Sequence, residues 1–349
     1  MRSLEINTVR GVAAHAVFLF ALWVKRYVGD ASWRGLDEAT EARELLEKLL
    51  DPDFEPTRTV RSVYGAQLPL LVHLDRVWAE AQIPRILPDD EGSAPLREAA
   101  WGSYLIEWDT CYDDVFELLR PQYARAVGRL DPDKSLGASR DPDVRLAEHL
   151  MALLWRGKLA FGDEDGILET FYARASDPLR RGAAGFLGRH LRARTDGVPQ
   201  KELARLEGLW ERRLRSAAED RETPAGEELG AFAWFFLSGK FDEAASIERL
   251  ERALGLGADV GRDAPAVARA LADAAPHHLA PAIGCLDRIV RNILAGGAGS
   301  SWRIMAIADD ATRLLTAARG ARDDRTRRAA GELANVLVAH NHPKFVSLS

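Results

Sequence analysis

In the segment Asp141–Gly157, DPDVRLAEHLMALLWRG, the signals that start, carry and stop an α-helix lie side by side. Asp141 is an N-cap residue, because a short carboxylate can accept from the orphan N–H groups of a first turn. Pro142 stands where a missing N–H costs nothing, and Gly157 can take the left-handed conformation that closes a last turn. Between them Val144, Ala147, Leu150, Met151 and Leu154 recur at helical spacing. The same grammar repeats downstream. Ile167, Leu168, Phe171 and Tyr172 share a face, and Ser176-Asp177-Pro178 opens a helix carrying Ala183, Phe186, Leu187, His190 and Leu191. Thr195-Asp196-Gly197-Val198-Pro199 breaks that helix before Leu203, Leu206, Trp210 and Leu214 mark the next one. No segment alternates as a half-buried strand does, so the expected fold class is all-α.

This punctuation divides the chain into about eight antiparallel helix pairs: 3–29 with 36–50, 56–74 with 75–87, 94–109 with 112–130, 141–157 with 163–175, 177–194 with 199–219, 225–239 with 242–256, 263–275 with 279–296, and 300–319 with 323–341. Pro69, Pro84 and Pro121 fall in or beside these helices and predict kinks or shifted ends. Trp155-Arg156-Gly157-Lys158-Leu159 is echoed by Leu237-Ser238-Gly239-Lys240-Phe241, 82 positions later, which is two units of about 41 residues. That period matches HEAT and armadillo units of about 40–47 residues, so the expected architecture is a HEAT-like α-solenoid spanning 1–349. Its softest internal boundary is the loop-like stretch 130–142.

Composition narrows the function classes. With 47 basic and 53 acidic residues the chain carries a formal charge of -6, which excludes a general polycation for coating nucleic acid. Cys111 and Cys285 are the two cysteines, far apart and outside any CxxC, so neither a disulfide framework nor a four-cysteine zinc site is available, and a reducing cytoplasm is expected. The thirteen apolar-rich residues Val12–Val24 are too few to span a bilayer at about 17–25 residues, and they predict a buried core helix. Trp23, Phe186 and Trp210 are expected between stacked helices.

No recognisable catalytic motif is present. Gly157-Lys158 and Gly239-Lys240 lack the glycine spacing and the Ser/Thr of a P-loop, and Gly255-Leu256-Gly257 misses the dinucleotide fingerprint. His277-His278 and His340-Asn341-His342 supply two imidazoles each, where zinc wants three or four ligands. Asp113-Asp114, Asp163-Glu164-Asp165, Asp309-Asp310 and Asp323-Asp324 suit helix capping better than acid–base pairing. No cofactor, metal or catalytic residue is therefore assigned. The sharper surface signal is arginine: seven of the 47 basic residues are lysines, leaving forty arginines, a bias that also fits a GC-rich bacterial genome. Arg180, Arg181, Arg189, Arg192 and Arg194 on one helix face Arg205, Arg212, Arg213 and Arg215 on the next. Of these, Arg189, Arg192, Arg194, Arg212, Arg213 and Arg215 are the expected interaction surface, diluted by Glu202, Glu207 and Glu211.

Several segments also carry a resemblance. Ile6-Asn7-Thr8-Val9-Arg10-Gly11 with Ala21-Leu22-Trp23-Val24, then Arg61-Ser62-Val63-Tyr64-Gly65, the run from Tyr112 to Tyr123, and Trp155-Arg156-Gly157-Lys158 resemble the C-terminal helical-repeat region of large bacterial NTPase or SIR2-type proteins linked to antiphage defence. The resemblance covers nearly the whole chain and rests on packing and turn motifs. It implies an α-helical module that senses or scaffolds, and it carries over no catalytic residue. The expected function is a non-enzymatic module that binds a protein partner, such as a separate NTPase or effector chain or a foreign protein being sensed. The alternative is a nucleic-acid-binding solenoid using the arginines.

Overall fold

The computed structural model describes residues 8–108, 111–133, 141–220, 222–223, 225–296 and 300–348. Among them the fold is all-α, 77% helical and without strands. Seven of the boundary residues in the 130–142 stretch, 134–140, lie outside the described residues, as do Ile6 and Asn7. The chain divides into two compact units, the first ending at Arg174 and the second taking up from Ala175 and including Leu154–Gly157.

In the first unit, helix α1 (Val9–Val28) is followed by a 3-10 turn and α2 (Thr40–Leu49). The expected helix 56–74 is broken into α3 (Arg58–Ala66) and α4 (Leu68–Leu74), because Pro69 belongs to a new first turn rather than to a continuing helix. Then come α5 (Arg76–Ile86), α6 (Ala94–Glu107), α7 (Asp113–Gly128), α8 (Pro142–Arg156) and α9 (Ile167–Arg174). Pro84 and Pro121 sit inside α5 and α7 without ending them. Helices α3 and α6 pack so closely that a methyl group on Gly65 would overlap the Ala100 carbonyl. The Tyr64 hydroxyl, beside that glycine, donates to the Leu46 carbonyl at 2.6 Å.

The second unit holds α10 (Asp177–Ala193), α11 (Gln200–Glu219), α12 (Gly226–Ala231), α13 (Ala233–Ser238), α14 (Glu243–Gly255), α15 (Ala264–Ala295), α16 (Ser300–Arg319) and α17 (Asp324–Ala339). The two-fold echo seen in the sequence is a pair of matching helix ends: Gly157 and Gly239 both adopt left-handed φ, +73° and +62°. The expected helices 263–275 and 279–296 are found as two arms, 264–277 and 279–295, that meet at a kink within α15. Pro276 and Pro281 delete two helical N–H donors, and the backbone leaves helical geometry at His278 (φ -133°, ψ 42°). Apolar residues of both arms, from Val267 and Leu271 to Ile289 and Ile293, are buried. Helix α16 packs along it.

The three expected core aromatics separate. Trp210 is fully buried, stacked on Phe232 at 5.9 Å and met edge-on by Phe235 at 5.7 Å. Phe186 is half-buried, against the His190 ring. Trp23 is 60% exposed and contradicts the expectation. We predict that Trp210→Ala costs about 3–5 kcal/mol in urea unfolding, as large-to-small core changes do. Trp23→Ala, measured on chain dilute enough to exclude association, should stay within about 0.5 kcal/mol of the parent, as changes away from packed features do. Equal losses at the two positions would contradict the packing described.

Candidate functional site

The arginines of α10 and α11 divide into an inner and an outer set. Arg180 and Arg213 are buried, and both reach Glu228 on α12. Arg180 Nε donates to one carboxylate oxygen at 2.7 Å, while Arg213 Nε and Nη2 donate to both oxygens at 2.6 and 3.1 Å. Arg180 Nη1 also donates to the Ala175 carbonyl at 2.6 Å. Asp177 completes the cluster: its two oxygens accept from the backbone N–H groups of Glu227 and Glu228 at 2.9 Å each, capping α12 from the start of α10. Arg213 is thereby removed from the expected interaction surface, because a guanidinium committed to a buried carboxylate is not presented to a partner. The outer set, Arg189, Arg192, Arg194, Arg212 and Arg215, is exposed. Of these, Arg192 lies over the Trp234 ring at 5.4 Å. The contact that unites the two helices' arginines is the inner one, on Glu228.

The first unit buries a polar chain. His149 Nε2 lies 2.9 Å from the Trp108 carbonyl, which can only accept, so this nitrogen carries the proton. Nδ1 lies 2.8 Å from the Tyr123 hydroxyl, and the Tyr123 oxygen lies 3.1 Å from the Tyr104 hydroxyl. Cys111 Sγ is 3.0 Å from that same hydroxyl and directs its S–H toward the Tyr112 carbonyl at 3.3 Å or toward Tyr104. All four side chains are buried. Burial, the Tyr104 hydroxyl and the Cys111 thiol all push the Tyr123 hydroxyl well above its ordinary pKa. Such a group stays protonated at neutral pH, and the hydrogen-bonded chain it belongs to ties α6, α7 and α8 together. Burial likewise pushes the Cys285 thiol up, away from the thiolate that nucleophilic chemistry uses.

The acidic clusters are engaged in pairing and capping. Asp163 and Asp165 both hold Arg120, the former at 2.7 Å, and with Glu117 they line an open cleft on the first unit. Asp323 accepts from the Arg325 and Thr326 N–H groups at the start of α17, as capping requires. Asp309 and Asp310 lie inside α16 instead, paired with Lys344 and Arg313. His278 faces Glu243 at 3.3 Å, and His340 Nδ1 lies 2.9 Å from the Val336 carbonyl. Among the described residues no three His, Cys, Asp or Glu side chains gather as a metal site would need.

The surface feature that sequence reasoning missed is on α1. The helix covers twenty residues rather than the thirteen of its apolar run, and its most apolar window has a mean hydropathy of 1.3 with 33% of residues buried. By length and composition it could therefore cross a membrane, and the expected core helix is corrected to a helix with one packed face. Gly11, Ala14, Phe18, Ala21 and Lys25 are buried, with Phe18 edge-on to Tyr64 at 5.2 Å and Lys25 Nζ donating to the His73 carbonyl at 3.0 Å. Val9, Val12, Ala13, Ala16, Leu19, Phe20, Trp23 and Tyr27 face outward. Trp23 is stacked between Phe20 at 6.2 Å and Tyr27 at 5.7 Å. The available signal was an i, i+3, i+7, i+10, i+14 set on each of two opposite faces, the mark of a helix apolar on both sides.

Comparison with protein-family models, with curated proteins and with solved structures gave no match to this chain.

The buried cluster makes a direct prediction. Glu228→Ala leaves two buried guanidiniums without their shared counter-charge and should cost about 3–5 kcal/mol in urea unfolding. Arg215→Ala, on the outer face of the same α11, should cost less than about 0.5 kcal/mol. A loss below 1 kcal/mol at Glu228, on the order of an exposed pair, would show that the cluster is solvated.

Proposed function

We propose that this chain is a non-enzymatic, HEAT-like interaction module that binds a protein partner, and that α1 is its docking surface. The observation that carries the reading is the outward apolar face of α1. Six of its residues are aromatic or branched and at least 44% exposed. Contiguous exposed apolar surface of this kind marks an interaction site, whereas isolated exposed side chains do not. A protein partner is favoured over a bilayer because Glu41 and Glu44, on the neighbouring α2, are exposed and the chain as a whole is acidic, so anionic lipid would be repelled.

The repeat architecture is supported by how the helices stack. In the first unit α3 packs on α6 and α7 on α9; in the second, α10 packs on α12 and α13, and α11 on α14. Packing of alternate helices, first on first and second on second, is how helix-pair repeats build one continuous core. The sequence resemblance then suggests a cytoplasmic sensing or scaffolding role in a bacterial defence system, beside a separate NTPase or effector chain.

Two measurements test the proposal. A photo-crosslinking residue at position 23 should capture protein in the native host, while the same residue at position 215 should not. Random duplex DNA should bind weakly at physiological salt, with no change when Arg189, Arg192, Arg212 and Arg215 are replaced by Ala. Micromolar DNA binding that falls with salt at a log–log slope of about -0.9 per phosphate, and is lost in that quadruple variant, would instead establish the nucleic-acid reading.

A further inference from the structure

We propose that the partner seated on α1 is a second copy of this chain, with two α1 helices packed antiparallel about a two-fold axis. The inference rests on the reading of α1 as a docking surface and adds the identity of the occupant. At about 100° per residue, the outward residues Val9, Val12, Ala13, Ala16, Leu19, Phe20, Trp23 and Tyr27 fall within an arc of about 120° and extend for about 27 Å. Exposure along it is 88% at Val9, 53% at Val12, 49% at Leu19, 44% at Phe20, 60% at Trp23 and 81% at Tyr27. With aromatic side chains offering about 150–250 Å² each, the stripe presents about 700 Å². Two copies would bury about 1,400 Å², within the 1,200–2,000 Å² of stable complexes.

The distribution of side-chain size along the stripe selects the antiparallel arrangement. Small and β-branched residues, Val9, Val12, Ala13 and Ala16, occupy its first half; Leu19, Phe20, Trp23 and Tyr27 occupy its second. A parallel pair would set aromatics against aromatics and leave a gap between the alanines. An antiparallel pair sets large against small along its length, placing Val9 opposite Tyr27 and Ala16 opposite Phe20, as close packing requires.

Charge and rigidity agree with this arrangement. The segment from Val9 to Val28 has no acidic residue, and its two exposed cations flank the stripe on opposite sides: Arg10, held by Glu55 at 3.4 Å, and Arg26. A two-fold normal to the plane of the two helices keeps each flank on its own side, so Arg10 of one copy does not meet Arg26 of the other. The inner face of α1 is already fixed by Phe18 and Lys25, and the aromatic trio is already stacked. Little ordering remains to oppose association.

Sedimentation velocity of the full chain from 1 to 100 μM tests the proposal. The expected species has twice the 38.5 kDa chain mass, and Trp23→Glu shifts it to monomer with unchanged far-UV circular dichroism and with the melting temperature that the parent shows when diluted to monomer. Register is read by mild oxidation of mixed Ala16→Cys and Phe20→Cys chains. The antiparallel pair gives the mixed disulfide, whereas a parallel pair joins like variants and overturns the arrangement. The buried Cys111 and Cys285 leave this readout clean. A dimer indifferent to Trp23→Glu overturns the surface assignment. A parent chain monomeric at 100 μM overturns self-association; if position 23 then crosslinks a different protein, the docking reading survives, and if it captures no protein, both fail. Binding of the monomer to phosphatidylcholine–phosphatidylserine vesicles through position 23 would make a lipid surface the occupant instead.

Discussion

A carboxylate with no solvent exposure has to be matched inside the protein, and Glu228 is matched twice. Removing a carboxylate from water costs several kcal/mol even after relaxation, and only close, multiply hydrogen-bonded cations repay that cost. Arg180 from α10 and Arg213 from α11 do so together, while Asp177 caps the helix that carries Glu228. The requirement fixes three helices at once. Displacing α10 or α11 by an ångström or two would strand a charge, so the arginine spacing on these helices records packing as much as surface chemistry. The second unit depends on this cluster much as the first depends on the chain from Cys111 through Tyr104 and Tyr123 to His149.

The function reading follows from an inversion of the usual assignment of side chains. Some of the arginines that suggest a binding face are internal ties, and some of the aromatics that suggest a core are outside. Those arginines cannot serve a partner without unfolding their surroundings. The aromatic face of α1 can serve one without any rearrangement, because a different face of the same helix does the packing.

Helix identities were legible because caps and breakers act locally: Asp141, Pro142 and Gly157 each do in the structure what their short-range chemistry dictates. The break in α15 was legible too, since Pro276 and Pro281 flank His278, where the backbone leaves helical geometry between the two expected helices. Trp23 and Trp210 look alike in sequence, each in an apolar helical stripe. Which stripe faces inward is decided by elements far along the chain, Tyr64 and His73 for α1 and Phe232 and Phe235 for α11. The same holds for Arg213, whose partner lies fifteen positions away in a separate helix. Local pattern identifies a helix; its buried face is a tertiary property.

The central claim is that α1 turns its aromatic face to solvent while α11 turns its tryptophan inward. Hydroxyl-radical footprinting of the chain at submicromolar concentration, read by mass spectrometry at Trp23 and Trp210, tests it most directly. The account predicts rapid oxidation of Trp23 with Trp210 protected until the chain is unfolded. Protection of Trp23 equal to that of Trp210 in the dilute folded chain would contradict it.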